Sequence, residues 1–193
     1  MGDHRLDDAS EDELVRRAVA GDAVAFAAIY DEFAPRVRRF LWHQPVDADV
    51  VEDLLQRTFV KMIEALPRYD RRGLPFGAWV FRIVRNTLTD HWRTLHPAMP
   101  LDAAADRPAD GGDPVAIAER AHDRAELHAA LATLPADQQE VIAWRFFADL
   151  TPAETAVLMG RSNGAVRVLQ HRALTALRQQ FDDGRVTLRS AEA

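Results

Sequence analysis

The chain has 193 residues, of which 24 are basic and 30 acidic, for a formal net charge of −6; 48% are hydrophobic and none is cysteine. That length admits one large domain or two small ones, and without cysteine a disulfide scaffold, a thiol nucleophile and a thiolate zinc site are excluded, which fits a reducing, cytoplasmic compartment. No apolar run approaches the roughly 18–20 residues that span a bilayer, and the acidic opening MGDHRLDDASEDE is unlike a signal peptide, so neither secretion nor membrane insertion is expected.

Phe26, Ile29, Tyr30, Phe33, Val37, Phe40 and Leu41 recur at the three-and-four spacing of an amphipathic helix, and Leu55, Phe59, Met62, Ile63 and Leu66 repeat it. Trp79, Val80, Ile83, Val84, Thr87 and Leu88 form another stripe, after a breaker-rich loop from Arg68 to Pro75. No period-two strand or Asn-Gly hairpin interrupts these patterns, which predicts a helical bundle over 1–97. Between Arg68 and Arg93 stand six arginines against Asp70 and Asp90, a local excess of positive charge. Trp79 belongs to the apolar stripe and is expected in the core. Trp92 lies beside His91 and Arg93 at the helix end and stays open to either core packing or base stacking.

Residues 98–126 hold three basic and seven acidic side chains, so most of the surplus negative charge sits there. Three prolines, a glycine pair and four aspartates crowd between Met99 and Pro114 with little to bury, which reads as an extended acidic linker.

The second lobe, 127–181, opens with Leu127, Leu131 and Leu134 on one helical face, ending at Pro135. Asp137 with Glu140 three residues on predicts a capping box opening a helix that runs through Phe147. Thr151, Pro152 and Glu154 then have the order of a cap, a first-turn proline and a box partner, predicting a helix of about two turns. Gly160 supplies a left-handed turn, and Ser162 caps a helix expected to carry Val166, Leu169, Ala173, Leu174 and Leu177 inward. This is helix-turn-helix spacing, although an ordinary helical hairpin has it too. The acid-free run of Arg161, Arg167, His171 and Arg172 favours a nucleic-acid surface. A short tail, 182–193, follows. The fold class predicted is all-α, with two helical lobes joined by an acidic flexible linker.

Four stretches, in order, carry a resemblance. AFAAIYDEFAPRVRRFL, DLLQRTFVKMIEAL and FGAWVFRIVRNTLTDHWR are similar to the first helix, the core-binding helix and the minus-ten-reading helix of region 2 in bacterial sigma-70-family factors. LPADQQEVIAWRFFADLTPAETAVLMG, followed by HRALTALR, resembles region 4. Nothing between them resembles a region 3 domain, the arrangement of the extracytoplasmic-function (ECF, group IV) sigma factors.

The resemblance implies that Asp53, Gln56, Arg57, Lys61 and Glu64 meet the clamp of the largest subunit of RNA polymerase core, although a merely solvated face explains the same residues. It departs from the family at Arg57, where an acidic residue is usual. It implies that Asn86 meets a flipped minus-ten base, with Arg71, Arg72, Arg82, Arg85 and Arg93 on phosphates. In region 4, which also meets the flap of the second polymerase subunit, Arg161, Ala165, Arg167, Val168, His171 and Arg172 become the candidates for reading minus-thirty-five promoter DNA in the major groove. Leu169 and Gln170 depart from the family, where a basic and an apolar residue are usual, and imply a slightly rotated or repacked inward face. Asp102, Asp106, Asp110 and Asp113 of the linker either mimic RNA phosphates inside polymerase or form a solvated tether. An anti-sigma factor is an implied partner.

Enzymatic motifs are missing: there is no His-Glu-x-x-His, no phosphate-binding glycine loop and no Gly-x-Ser-x-Gly, and the seven histidines are scattered. No catalytic residue, cofactor or metal ligand is expected. The competing reading is a stand-alone helix-turn-helix regulator, or a sigma-fold interaction protein without promoter activity.

Overall fold

The computed structural model describes residues 8–70, 73–95 and 126–191, so the linker aspartates and Arg71 and Arg72 lie outside the described residues. Two compact units, Met1–Ala109 and Asp110–Ala193, divide the chain. Both are helical, and no strand occurs among the described residues.

The first unit comprises α1 (Asp8–Val19), α2 (Ala23–Trp42), α3 (Ala48–Ala65), a single 3-10 turn (Leu66–Arg68) and α4 (Phe76–Leu95). Asp22 starts α2 by accepting from the Val24 and Ala25 amides, which would otherwise lack partners, and its other oxygen takes Arg17 of α1 at 2.7 Å. Successive helices pack in order, α1 on α2, α2 on α3 and α3 on α4. Ile29, Phe33, Val37 and Leu41 of α2, Leu54, Leu55 and Met62 of α3, and Val80, Phe81 and Val84 of α4 are each no more than 1% exposed. The expected stripes therefore face one core, with two corrections: Tyr30 lies partly outside, and Ile63 is 53% exposed. Alpha-helical spacing places Ile63 beside Gln56 rather than beside Met62, on the flank of the buried stripe.

Trp79 is buried, as its stripe requires, in an aromatic group with Tyr69 and Phe76, their ring centroids 4.9–5.4 Å apart. The Tyr69 hydroxyl donates to the Leu74 carbonyl at 2.8 Å and closes the base of the loop ahead of α4. Arg36 is a charged member of this core, 4.6 Å from the Phe33 ring centroid and 3.7 Å from a Glu32 oxygen. A buried guanidinium is tolerable only with such partners.

In the second unit, α5 is described over 126–132, followed by α6 (Ala136–Ile142), a π-helical turn (Ala143–Phe147), α7 (Pro152–Met159) and α8 (Asn163–Ala191). Leu134, Val141, Ile142, Ala156, Val166, Leu169 and Ala173 form its core, with Leu131, Phe147 and Leu177 against it. The capping box expected at Asp137 is absent: Pro135 is the N-cap, without a side-chain bond, and Glu140 instead accepts from the Trp144 indole at 3.2 Å. Nor does α6 run through Phe147, because the chain switches to π geometry at Ala143, the Ala148 amide reaching back to the Ala143 carbonyl at 3.0 Å.

The next features match the sequence reading. Thr151 and Glu154 form a reciprocal capping box, with Pro152 at the first helical position. Gly160 lies at φ +61°, and the Arg161 amide bonds the Ala156 carbonyl at 2.9 Å, the Schellman closure of a helix end. Ser162 Oγ accepts from the Ala165 amide at 3.2 Å and opens α8. Leu174 is a correction: at 41% exposed it faces outward, while Ala173 beside it is fully buried. α8 continues past Phe181 to Ala191.

Candidate nucleic-acid and partner interfaces

On α3 the five candidate polymerase contacts share one face. Gln56, Arg57 and Glu64 are exposed, and Asp53 and Lys61 half-buried. They line one wall of an open groove whose other wall is Thr87, Asp90, His91 and Thr94 of α4. Val60, 55% exposed, sits at the middle of this face, with Ile63 on its flank. Val60 belongs to no apolar stripe in the sequence and Ile63 is expected inward from its spacing, so neither signals an apolar patch on this face. An exposed apolar centre ringed by charge suits a partner surface better than a solvated one does.

Arg57, the departure from the family, bonds Asp53 through both Nε (2.9 Å) and a terminal nitrogen (2.8 Å), one turn away. The pair cancels its own charge. Across the groove Lys61 reaches Asp90 at 2.8 Å, and this bond holds the Asp90 carboxyl below the usual carboxylate range, with Arg93 adding to the effect. His91 is pushed below the ordinary imidazole value, first by burial and then by the Arg57 charge, against opposing pulls from Asp53 and Asp47.

The candidate minus-ten residues on α4 lie away from the core. Arg82, Arg85, Asn86 and Arg93 are all exposed, and at 3.6 residues per turn they fall with Thr89 on one stripe about 16 Å long. The acidic residue of that helix, Asp90, is engaged by Lys61, so the stripe keeps its positive sign. Trp92 is half-buried, with His91 edge-on at 5.3 Å.

On α8, Arg167, Val168 and His171 are exposed on the side away from Val166, Leu169 and Ala173, with exposed Arg172 and half-buried Ala165 on its flank. Arg161 stands in the turn before the helix and pairs with Asp137 of α6 at 3.4 Å. Leu169 is buried in the core cluster, and Gln170 accepts from Arg145 Nε at 2.9 Å. Arg145 escaped the sequence reading because its partner lies 25 residues away, with no local signal linking them. Among the described residues no group of three or more His, Asp or Glu converges to hold a metal ion, and no helix is long and apolar enough to cross a membrane.

Comparison with known proteins agrees with this geometry. Residues 29–96 match the family profile of Sigma-70 region 2, and residues 130–179 match that of Sigma-70, region 4. The chain is 41% identical over 175 residues to the ECF RNA polymerase sigma factor ShbA of Streptomyces griseus, covering 86% of this chain and 92% of ShbA. It is 32% identical, also over 175 residues, to the ECF RNA polymerase sigma factor BldN of Streptomyces coelicolor, covering 89% of this chain but 66% of BldN. Among solved structures, CnrH in complex with the cytosolic domain of CnrY superposes with a TM-score of 0.63 at 26% identity, covering 89% of this chain and 96% of CnrH. With both regions matched in order and relatives of this identity, the chain belongs to the sigma-70 family, in its extracytoplasmic-function group.

Proposed function

We propose that this protein binds RNA polymerase core and directs promoter-specific transcription initiation from the cytoplasm, without catalysing a reaction itself. One observation carries the reading. A polar face with an apolar centre on α3 and a cationic stripe on α4 occupy the first unit, and a doubly capped helix-turn-helix with an exposed basic face occupies the second. Under this reading 1–97 meets the polymerase clamp through Asp53, Gln56, Arg57, Lys61 and Glu64, with Val60 as the apolar anchor. Asn86 takes an unpaired minus-ten base at its edge, since its amide both donates and accepts, while Arg71, Arg72, Arg82, Arg85 and Arg93 hold the strand.

Residues 127–181 dock on the flap of the second subunit and read the minus-thirty-five element. There Arg167 and Arg172 suit guanine edges, Val168 and Ala165 suit a thymine methyl, and His171 and Arg161 extend the contact. The segment 98–126 is the acidic tether between the two. The Asp53–Arg57 pair shifts the burden of clamp binding toward Gln56, Val60 and Glu64. An anti-sigma factor covering the α3 face is the proposed regulator, in keeping with CnrH, which is bound to a cytosolic domain of a second protein.

The test is reconstitution. Added to purified core polymerase and fragmented genomic DNA, the protein is expected to yield transcripts from a small set of shared promoters. No association with core, together with a tight duplex footprint by the protein alone, would favour the stand-alone regulator instead.

A further inference from the structure

Arg145 lies in the π turn between α6 and α7 and is half-buried. Among its contacts, a terminal nitrogen donates to the Leu150 carbonyl, and Nε donates to Gln170 Oε1 at 2.9 Å. Leu150 is fully buried and immediately precedes Thr151, the cap of the first helix of the helix-turn-helix. Gln170 lies in the middle register of the second, between Leu169 in the core and His171 on the exposed face. One side chain thus ties the entrance of α7 to the flank of α8.

Apart from Gln180, which donates to Thr133 Oγ1 further along the helix, the rest of the α8 seat is apolar. Val166, Leu169 and Ala173 hold it against α6 and α7 by contacts that have no preferred direction. Close packing of these side chains sets the rotation about the helix axis to within the slack of its apolar contacts, and a hydrogen bond between planar groups adds a directional restraint within that range. At the outer radius of a helix, about 5–6 Å, each 10° of rotation moves a side-chain base by about 1 Å. That is enough to spoil a bidentate contact to a base edge.

We infer that Arg145 is a positioning residue for promoter recognition: by holding Gln170 it sets the rotation of α8 and so determines which base edges Arg167, Val168 and His171 reach. This rests on α8 being the minus-thirty-five-reading helix. The Gln170 departure from the family then has a use, because an apolar side chain there offers Arg145 no acceptor.

The experiment is transcription by the full chain with core polymerase from two promoter libraries, one randomised across the minus-thirty-five element and one across the minus-ten element. Gln170→Met keeps the volume and the apolar contact but removes the acceptor. It is expected to lower the ratio between the best and the singly substituted minus-thirty-five sites about fivefold or more, with minus-ten preferences and core binding unchanged. Arg145→Lys lacks the planar fork and is expected to do the same. Gln170→Glu retains an acceptor and is expected to keep the ratio, though its overall affinity falls as negative charge approaches DNA. A Gln170→Met protein with wild-type minus-thirty-five preferences overturns the inference, whether or not Arg145→Lys folds. If Arg167→Ala also leaves those preferences unchanged, it is the underlying assignment of α8 that fails.

Discussion

Phe33, Phe40, Phe59, Phe76, Trp79 and Phe81 are buried in the first unit, whereas among the described residues of the second Trp144 is the one buried aromatic and the core cluster is otherwise aliphatic, Leu134, Val141, Ile142, Val166 and Leu169, with Ala156 and Ala173. Helix length differs too: α2, α3 and α4 run 18–20 residues, while the 29-residue α8 of the second unit packs against α6 and α7, which have only seven and eight. Helices that short are marginal in water. The second unit compensates with directed polar contacts, namely the Thr151–Glu154 box, the Schellman closure at Gly160, the Gln139 bond to the Leu134 carbonyl at 2.8 Å, and the two bonds of Arg145. The first unit is held mainly by buried volume and the second to a greater degree by geometry, so the two should answer differently to the same class of substitution.

Removing volume from the first unit breaks this contrast most severely. Phe81→Ala deletes a fully buried ring beside Phe40 and Arg36, and it is expected to cost about 3–5 kcal/mol, read as a lowered denaturant midpoint for that unit. In the second unit, Gly160→Ala meets no atom within 4 Å but must hold φ at +61°, so the cost is backbone strain alone, about 1–2 kcal/mol. Thr151→Ala removes the cap of α7 and is expected to cost about 1 kcal/mol, with Glu154, itself buried, losing its hydroxyl partner. If Thr151→Ala proves neutral, the claim that caps hold the second unit fails.

The groove between α3 and α4 answers to pH. The folded state keeps His91 below its ordinary value, so as pH falls the unfolded chain takes up this proton first. Stability of the first unit is then full above about pH 6.5 and declines as pH drops from there through the lowered folded value. Asp90 and Glu52, both lowered by their cationic partners, add a separate loss at more acid pH, below about pH 4. A His91→Gln protein is expected to lose the first decline and keep the second in midpoint-versus-pH profiles. Smallest of all is Lys61→Ala: its pair with Asp90 is partly exposed, and about 0–1 kcal/mol is expected.

Features whose cause is local were legible in the sequence. The α7 cap, the first-turn proline, the left-handed Gly160 and the Ser162 cap each depend on neighbours within four residues, and all are in place. Apolar period located the buried faces but not their width, which is why Ile63 and Leu174, at the margins of their stripes, point outward. The π turn was invisible because Trp144, Arg145, Phe146 and Phe147 continue a plausible helical pattern. The spacing of Asp137 and Glu140 suits a capping box, but the indole one turn on takes Glu140, and Asp137 pairs with Arg161 instead. Lys61–Asp90 and Arg145–Gln170 join residues 29 and 25 apart, so no linear pattern signals either pair. The basic faces themselves were readable, since charge counted by segment separates them from the acidic stretch 98–126.

Under the proposed function the two units read two promoter elements separately for one polymerase. The most direct test is transcription by core polymerase from libraries randomised at each element, comparing the wild type with Asn86→Ala and Arg167→Ala, both exposed positions that the fold does not need. Asn86→Ala is expected to flatten preferences only at the minus-ten element and Arg167→Ala only at the minus-thirty-five element, with core binding unchanged in both. Equal flattening at both elements by either variant, or promoter-directed transcripts that do not depend on the added protein, would contradict the account.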